Sequence, residues 1–239
     1  MAKIKNKIKT DFETFAFDYD GLIPKLIPHY REQNQLMVDL IPRDRATSLR
    51  VLDLGTGTGI LSYFIVKNFK NAEILALDLA KNMLEVAQKN LAEYSDRITF
   101  QQGDFAECAL GMSYDIIISG LAIHHLENPQ KQKLFASIFQ VLKPGGIFLN
   151  RDIVLGATPA LTQQYEQLWR DYISSNGEDS DRWFNNYLEQ DIPASVEEQI
   201  QWLKEVGFVD VSCHWRYLNF AIFGGCKPNS TIKEPLSCF

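Results

Sequence analysis

The chain has 239 residues, 46% of them hydrophobic, and a formal net charge of −6. That length holds one large domain with a sizeable core, and the acidic balance argues against strong non-specific nucleic-acid binding. The longest apolar run, Ile116 to Ile123, is far too short to cross a bilayer.

The start, Met1-Ala-Lys-Ile-Lys-Asn-Lys-Ile-Lys9, is basic but no apolar segment follows it, so it does not read as a secretory signal. Ile4, Ile8, Phe12 and Phe15 recur at helical spacing with lysines between them. This predicts a helix packed on the domain with a solvated lysine face, in preference to a membrane-surface helix. A second helix is expected from Pro24 to Ile41, and residues 42–48 read as the loop into the core. Cys108, Cys213, Cys226 and Cys238 form no CxxC pair and no metal spacing, and they read as reduced thiols of a cytoplasmic protein.

From Arg50 the pattern alternates. Strands are expected at Arg50–Leu54, Glu73–Leu77, Ile98–Gln101, Tyr114–Ser119 and Gly146–Asn150. Between them helices are expected at Ile60–Asn68, Lys81–Glu93 and Pro129–Leu142, with Lys143-Pro-Gly-Gly146 as a helix stop and turn. Pro159–Ser174 and Val196–Val206 look helical, joined by a polar segment bearing aromatic residues. Val209–Trp215 and Leu218–Gly224 follow so closely that they must pair antiparallel. The expected fold is α/β, a doubly wound, mostly parallel seven-stranded sheet closed by an antiparallel C-terminal hairpin. A single domain is expected. It divides into an N-terminal helical cap (1–49), a ligand-binding core (50–154), a helical insertion or lid (155–195), and a closing helix and hairpin (196–239).

Val51-Leu-Asp-Leu-Gly-Thr-Gly-Thr-Gly59 carries the chemistry. A strand, a glycine-spaced turn and a helix make a pocket for the polar end of a nucleotide-like ligand. Asp53 would repel a pyrophosphate and attract a cation, which points away from NAD and toward S-adenosylmethionine. Asp78 ends the second strand, where it can accept from both ribose hydroxyls or cap the next helix. Asp104 follows the third strand and can accept from an adenine amino group or serve a turn, and Phe105 can stack on the ring or join the core. Gly120 follows the fourth strand, where the reactive end of the ligand would lie. These groups recur at one sheet edge, the edge at which such sheets bind ligands.

Together, Val-Leu-Asp-Leu-Gly-Thr-Gly-Thr-Gly, Ala-Leu-Asp-Leu around Asp78, Gly-Asp-Phe around Asp104 and Leu-Lys-Pro-Gly-Gly resemble a class I S-adenosylmethionine-dependent methyltransferase, with its Rossmann-like fold. The resemblance covers Arg50 to Ile153. It implies S-adenosylmethionine as cofactor, with Asp53, Gly55, Thr56 and Gly57 at the methionine portion, Asp78 and Leu79 at ribose and adenine, and Asp104 and Phe105 at adenine. Ile27-Pro-His-Tyr30 resembles a segment of carboxy-S-adenosylmethionine synthase, which implies that Tyr30 reaches the cofactor. That synthase holds its added carboxylate with an arginine on the late helix. Here Val196–Val206 contains no arginine, and Trp202 takes about that place. Methyl transfer to O, N or activated carbon of a small molecule is therefore the expected reaction, with the carboxylated cofactor or tRNA modification as alternatives.

Methyl transfer is an in-line displacement that needs an aligned acceptor, excluded water and sometimes a base. His124 and His125 follow the fourth strand, and one of them is expected to act as base or to orient the acceptor. A packing role is equally open to them. No third metal ligand stands at a standard spacing, so no metal is expected. Tyr19, Arg151, Trp169 and Trp183 are the candidate substrate residues. The expected partner is a small-molecule acceptor, with neither nucleic acid nor a membrane span, in a monomer or homodimer.

Overall fold

The computed structural model describes residues 2–229, with side chains from Lys5 onward. The side chain of Ile4, and Cys238, lie outside the described residues. Three helices open the chain: α1 (Ala2–Phe15), α2 (Tyr19–Leu26) and α3 (Tyr30–Asp39). The expected single helix from Pro24 to Ile41 is thus two. Pro28 has no N–H to continue a ladder, and His29 adopts a left-handed φ of 54°. The break turns Tyr30 inward as the first residue of α3, where it is buried.

The core alternates β1 (Leu49–Leu54), α4 (Ile60–Asn68), β2 (Ala72–Asp78), α5 (Lys81–Asn90), β3 (Ile98–Gln102) and β4 (Tyr114–Gly120). After a short 3-10 turn at Ile123–His125 come α6 (Asn128–Val141) and β5 (Leu142–Ile153). Glu127 and Gln130 form a reciprocal capping box at the start of α6. The Lys143–Gly146 turn lies inside β5, as a register shift between Tyr114↔Leu142 and Ile116↔Ile147, with Gly145 at φ 73°. β5 also runs on past Asn150, so Arg151 and Asp152 are strand residues. Next are α7 (Pro159–Ser175), α8 (Ser180–Gln190) and α9 (Val196–Val206), then β6 (Val209–Tyr217) and β7 (Phe220–Cys226). The polar segment expected before α9 holds α8, capped by the Asp179 side chain.

The seven strands lie in the order β3-β2-β1-β4-β5-β7-β6. β7 pairs antiparallel with both β5 and β6, and the other pairings are parallel. Alternate strand residues feed two cores. Val51, Ile116, Ile118 and Leu149 pack toward α3 and α4. Leu52, Leu54, Ile117 and Phe148 pack toward α6 and α9. A third, aromatic cluster joins α2, α7 and α8 around Trp169, whose indole N–H donates to Leu26 O at 2.7 Å. Among the described residues no helix is long and apolar enough to cross a membrane.

Two glycines give opposite expectations. A Cβ at Gly224 would stand 2.0 Å from the backbone oxygen of Phe148. Gly224→Ala is expected to cost about 3 kcal/mol or more, because strand backbone and not a movable side chain is in the way. Gly21 is exposed on α2, and a Cβ there meets nothing within 4 Å. Gly21→Ala is expected to gain about 0.5–1 kcal/mol. Urea denaturation of both variants beside the wild type checks the pair.

Candidate functional site

The glycine turn is clipped to β2. Gly55 and Thr56 donate their N–H groups to Leu77 O at 2.9 and 3.0 Å. Gly55 has φ 68°, and a Cβ on it would meet Ala122 Cβ at 2.4 Å, so the chain can turn here only without a side chain. Gly57, at φ 55°, faces open space and donates its N–H to Asp78 Oδ2 at 2.8 Å. The other Asp78 oxygen accepts from Ala80 N at 2.8 Å. Asp78 therefore ties the turn to the end of β2, while Ala80 is the residue at the cap of α5. Burial pushes the Asp78 carboxyl up to about 6, against the N–H groups of Ala80 and Gly57.

These elements frame a cleft of about 440 Å³. Gly55, Thr56, Gly57, Asp78, Leu79, Asp104, Phe105 and Gly120 line it, together with Tyr30, Tyr19, Arg151 and His125. Asp53 does not. It is fully buried beneath the turn, where its Oδ2 accepts from Thr56 Oγ1 and Ser62 Oγ, both at 2.7 Å. It can act on a ligand only through its field and through the Thr56 it holds. Asp104 reaches the cleft but is already engaged: one oxygen accepts from Ala106 N at 2.8 Å and the other pairs with the Lys5 ammonium from α1.

A second cavity of about 140 Å³ adjoins the cleft and shares Phe12, Tyr19, Leu121 and His125 with it. Trp169 and Trp183 line this smaller chamber, and Arg151 lies in the cleft alone. Leu121 holds a left-handed φ of 57° between the two spaces, with its N–H on Arg151 O at 2.8 Å. Such a conformation costs on the order of 1 kcal/mol in a residue with a side chain and is met at functional sites.

The histidines belong to a buried chain of charge. His124 Nδ1 pairs with Asp152 on β5, and its Nε2 lies 3.5 Å from Asp191 Oδ2. Asp191 Oδ1 in turn takes His125 Nδ1 at 3.0 Å. That leaves His125 Nε2 buried without a partner. Burial works against a charged His124, but the Asp191 and Asp152 carboxylates outweigh it and hold the imidazole above its ordinary value. Burial likewise opposes an ionised Asp191, and His124 and His125 override it and hold the carboxyl low. Lys131, buried on α6, donates to Leu126 O and Ile192 O beside this chain, and burial lowers it to about 8.

Asp191 is the group that sequence spacing did not reveal. It stands just beyond α8, and only the packing of the insertion on the core brings it to the histidines. Ligand atoms of His124, His125 and Asp191 all lie within 4.8 Å of one another, so these three could also hold a metal ion. Arg151 was read from the sequence only as a candidate substrate residue. Its burial follows from the extension of β5.

Stability should follow these charges. The raised His124 value adds stability that is complete below the ordinary imidazole pKa and lost as pH rises through the folded value. Asp78, raised from 3.8 to about 6, has the same sign, because burial favours its protonated form. Asp191 is depressed, so its share persists above the ordinary carboxyl value and is lost only in stronger acid. From pH 5 upward the melting temperature is expected to fall, first through the Asp78 value near 6 and then through the raised His124 value. In Asp191→Asn the alkaline fall should begin at lower pH, since His124 keeps only Asp152 as counter-charge. Melting curves from pH 5 to 9 check both.

Comparison with known proteins agrees with this architecture. Residues 51–146 match the methyltransferase domain family. A carboxy-S-adenosyl-L-methionine synthase of Nautilia profundicola is 25% identical over 231 residues, spanning 92% of this chain and 97% of that protein. The enzyme of the same name from a Nitratiruptor species is 27% identical over 240 residues, spanning 95% and 99%. Phosphoethanolamine N-methyltransferase 2 of Haemonchus contortus, solved with S-adenosyl-L-methionine, superposes with a TM-score of 0.66 at 19% identity. That match covers 91% of this chain but only 57% of the nematode protein, and it bears on fold alone. The strand order and these likenesses agree on the fold: the chain has the Rossmann-like class I methyltransferase architecture, and its residues 51–146 match the methyltransferase domain family.

Proposed function

We propose that the chain is a group-transfer enzyme that uses S-adenosylmethionine, bound in the larger cleft. The observation that carries this is the fit of the cleft. Gly55 and Gly57 leave backbone open to a ligand, Asp78 presents a carboxylate at the end of β2, and Phe105 offers a ring beyond it. When bound, the cofactor supplies an electrophilic carbon on a sulfonium. The protein's own part is to orient the partner of that carbon, keep water away and handle one proton.

His125 suits the last task. Its Nε2 is unpartnered, it faces both cavities, and Asp191 holds its Nδ1. In this reading Nδ1 carries the proton and Nε2 is the base. Asp191 and His124 are positioning residues, and the cluster acts as a hydrogen-bonded chain and not as a metal site. The charge balance supports this choice. Two carboxylates face two imidazoles, with the Lys131 ammonium beside them.

Two outcomes at the sulfonium have support. Similarity to carboxy-S-adenosyl-L-methionine synthases runs over the whole chain, including the helical cap and the insertion that surround the reacting end. This favours a reaction on the cofactor itself, in which His125 would take a proton from the methyl carbon and the carbanion so formed would add to carbon dioxide released by C–C cleavage of a carboxylic-acid co-substrate. Trp202 is a half-buried residue of α9 that packs against the second core and does not line the cleft. The smaller chamber favours the second outcome, methyl transfer to a compact apolar acceptor. Its 140 Å³ compares with a cavity of about 150 Å³ that takes up benzene, and His125 stands at its junction with the cleft.

Asp78→Ala is expected to weaken S-adenosylmethionine binding roughly 10- to 100-fold, with no NAD binding by either protein; calorimetric titration reads both. His125→Gln should lower turnover by about 10²- to 10⁴-fold with cofactor affinity nearly unchanged. Mass spectrometry of the products, and of any ligand retained on purification, separates the outcomes. A carboxylated sulfonium supports the first, S-adenosylhomocysteine with a methylated acceptor supports the second, and no adenosyl ligand or product would sink both. A metal held at one equivalent through gel filtration and lost in Asp191→Asn would replace the proton chain by a metal site.

A further inference from the structure

Helix α1 is held in place from outside. Lys5, Lys7 and Lys9 stand in its N-terminal half, Asp11 and Glu13 in its C-terminal half. That order opposes the helix macrodipole, and a 14-residue helix of this kind is marginal on its own in water. The rest of the protein supplies what α1 lacks. Lys5 pairs with Asp104 and, at 2.8 Å, with Glu107 beyond β3, and Lys7 pairs with Glu189 on α8. Gln190 Nε2 donates to Asp11 Oδ2 at 2.6 Å, and Asn82 Nδ2 on α5 donates to Glu13 O at 2.9 Å. The apolar side chains of α1 are cavity walls. Ile8 and Phe12 line the cleft, and Phe12 and Phe15 line the smaller chamber. The Phe12 ring centre lies 5.7 Å from that of His125 and 6.2 Å from that of Tyr19, and the Phe15 ring lies 5.4 Å from Trp183. Residues 16–18 turn the chain into α2, and Ala16 is buried there against Ala80 and Met83.

We propose that α1 is a strap that closes over both cavities and is latched by charge, so that ionic strength sets how readily they open. The latch pairs are partly exposed, which makes each of them weak and screened by salt. Ala16 is the fixed end, and the lysines are the end that lifts. Lifting also unfolds the helix, because its lysines then lose the carboxylates that offset its macrodipole. A ligand in either cavity would cover Ile8, Phe12 or Phe15, so ligand and closed strap reinforce each other, and each slows the departure of the other. Asp104 serves the strap first, and an adenine amino group at that carboxylate would share it with Lys5. The strap does not depend on what the cleft binds. Its control of S-adenosylmethionine release rests on the reading of the cleft as the adenosyl site.

Limited chymotrypsin digestion reads the strap at Phe12 and Phe15, which the closed position hides. In wild type, cleavage there should rise about 2- to 20-fold between about 0.02 and 0.5 M NaCl, after correction with casein for the effect of salt on the protease. Lys5→Met/Lys7→Met should be cut near the high-salt rate already at low salt and should lose most of the salt response. Lys7→Glu should be cut faster than wild type, and adding Glu189→Lys should bring the rate back, which a merely disruptive change on α1 would not allow. Cleavage beyond residue 20 should stay the same in all variants. S-adenosylhomocysteine should slow cleavage of wild type, and in stopped-flow displacement it should leave Lys5→Met/Lys7→Met about 2- to 20-fold faster. Cleavage at Phe12 and Phe15 that ignores salt and is equal in all variants overturns the proposal, as does failure of the charge swap to restore the rate. Unchanged ligand release from a variant that is cut faster overturns control of the cavities by α1. If wild type binds no S-adenosylhomocysteine, the adenosyl reading alone fails, and proteolysis decides the strap.

Discussion

The chain Asp152–His124–Asp191–His125 is the constraint on which the site depends. It joins three parts of the fold: β5, the turn after β4, and the segment after α8. Ionic groups this deeply buried repay their desolvation only when every member has a partner and good geometry. The insertion therefore cannot settle at an arbitrary angle on the core. Lys131 tightens the same joint by donating to a carbonyl on each side, Leu126 O and Ile192 O. The position of His125 at the mouth of both cavities is a consequence of this joint.

The alternation of β5 makes one dipeptide serve two purposes. Neighbouring strand residues point to opposite faces. Arg151 is carried to the α3 face, against Tyr30, while Asp152 is carried to the α6 face, against His124. The cleft thus gains a cation and the histidine chain gains an anion from adjacent positions. β7 seals the arrangement by pairing with β5 through Arg151↔Ile222 and Asp152↔Ala221, which leaves no strand edge open at the site.

The smaller chamber is a product of the least regular parts of the chain. Its walls come from α1, α2, α7 and α8, closed by the aromatic cluster around Trp169. In the proposed reading the sheet edge holds the sulfonium, and the helices that wall the chamber select its partner. That division accounts for a superfamily core shared by proteins with different reactions, and it explains why similarity along the cap and insertion bears on chemistry in a way that core similarity does not.

Much of this molecule was legible in its residues. The glycine turn, the strands at Asp78, Asp104 and Gly120, and the closing hairpin follow from short-range rules: apolar alternation, glycine freedom and capping. Those rules act over a few residues, and the elements stand within a residue or two of where they were expected. Local pattern failed where a few groups decide the outcome. His29 in a left-handed conformation splits the early helix, and α8, with Phe184 and Tyr187 inward among polar neighbours, read as a connection. The pairing of Asp191 with two histidines, the inward turn of Asp53 and the burial of Arg151 against Tyr30 were decided by tertiary structure alone. Coulomb attraction and desolvation depend on distance in space, and no spacing along the chain records which distant residues the packing of helices on a sheet will bring within hydrogen-bond reach.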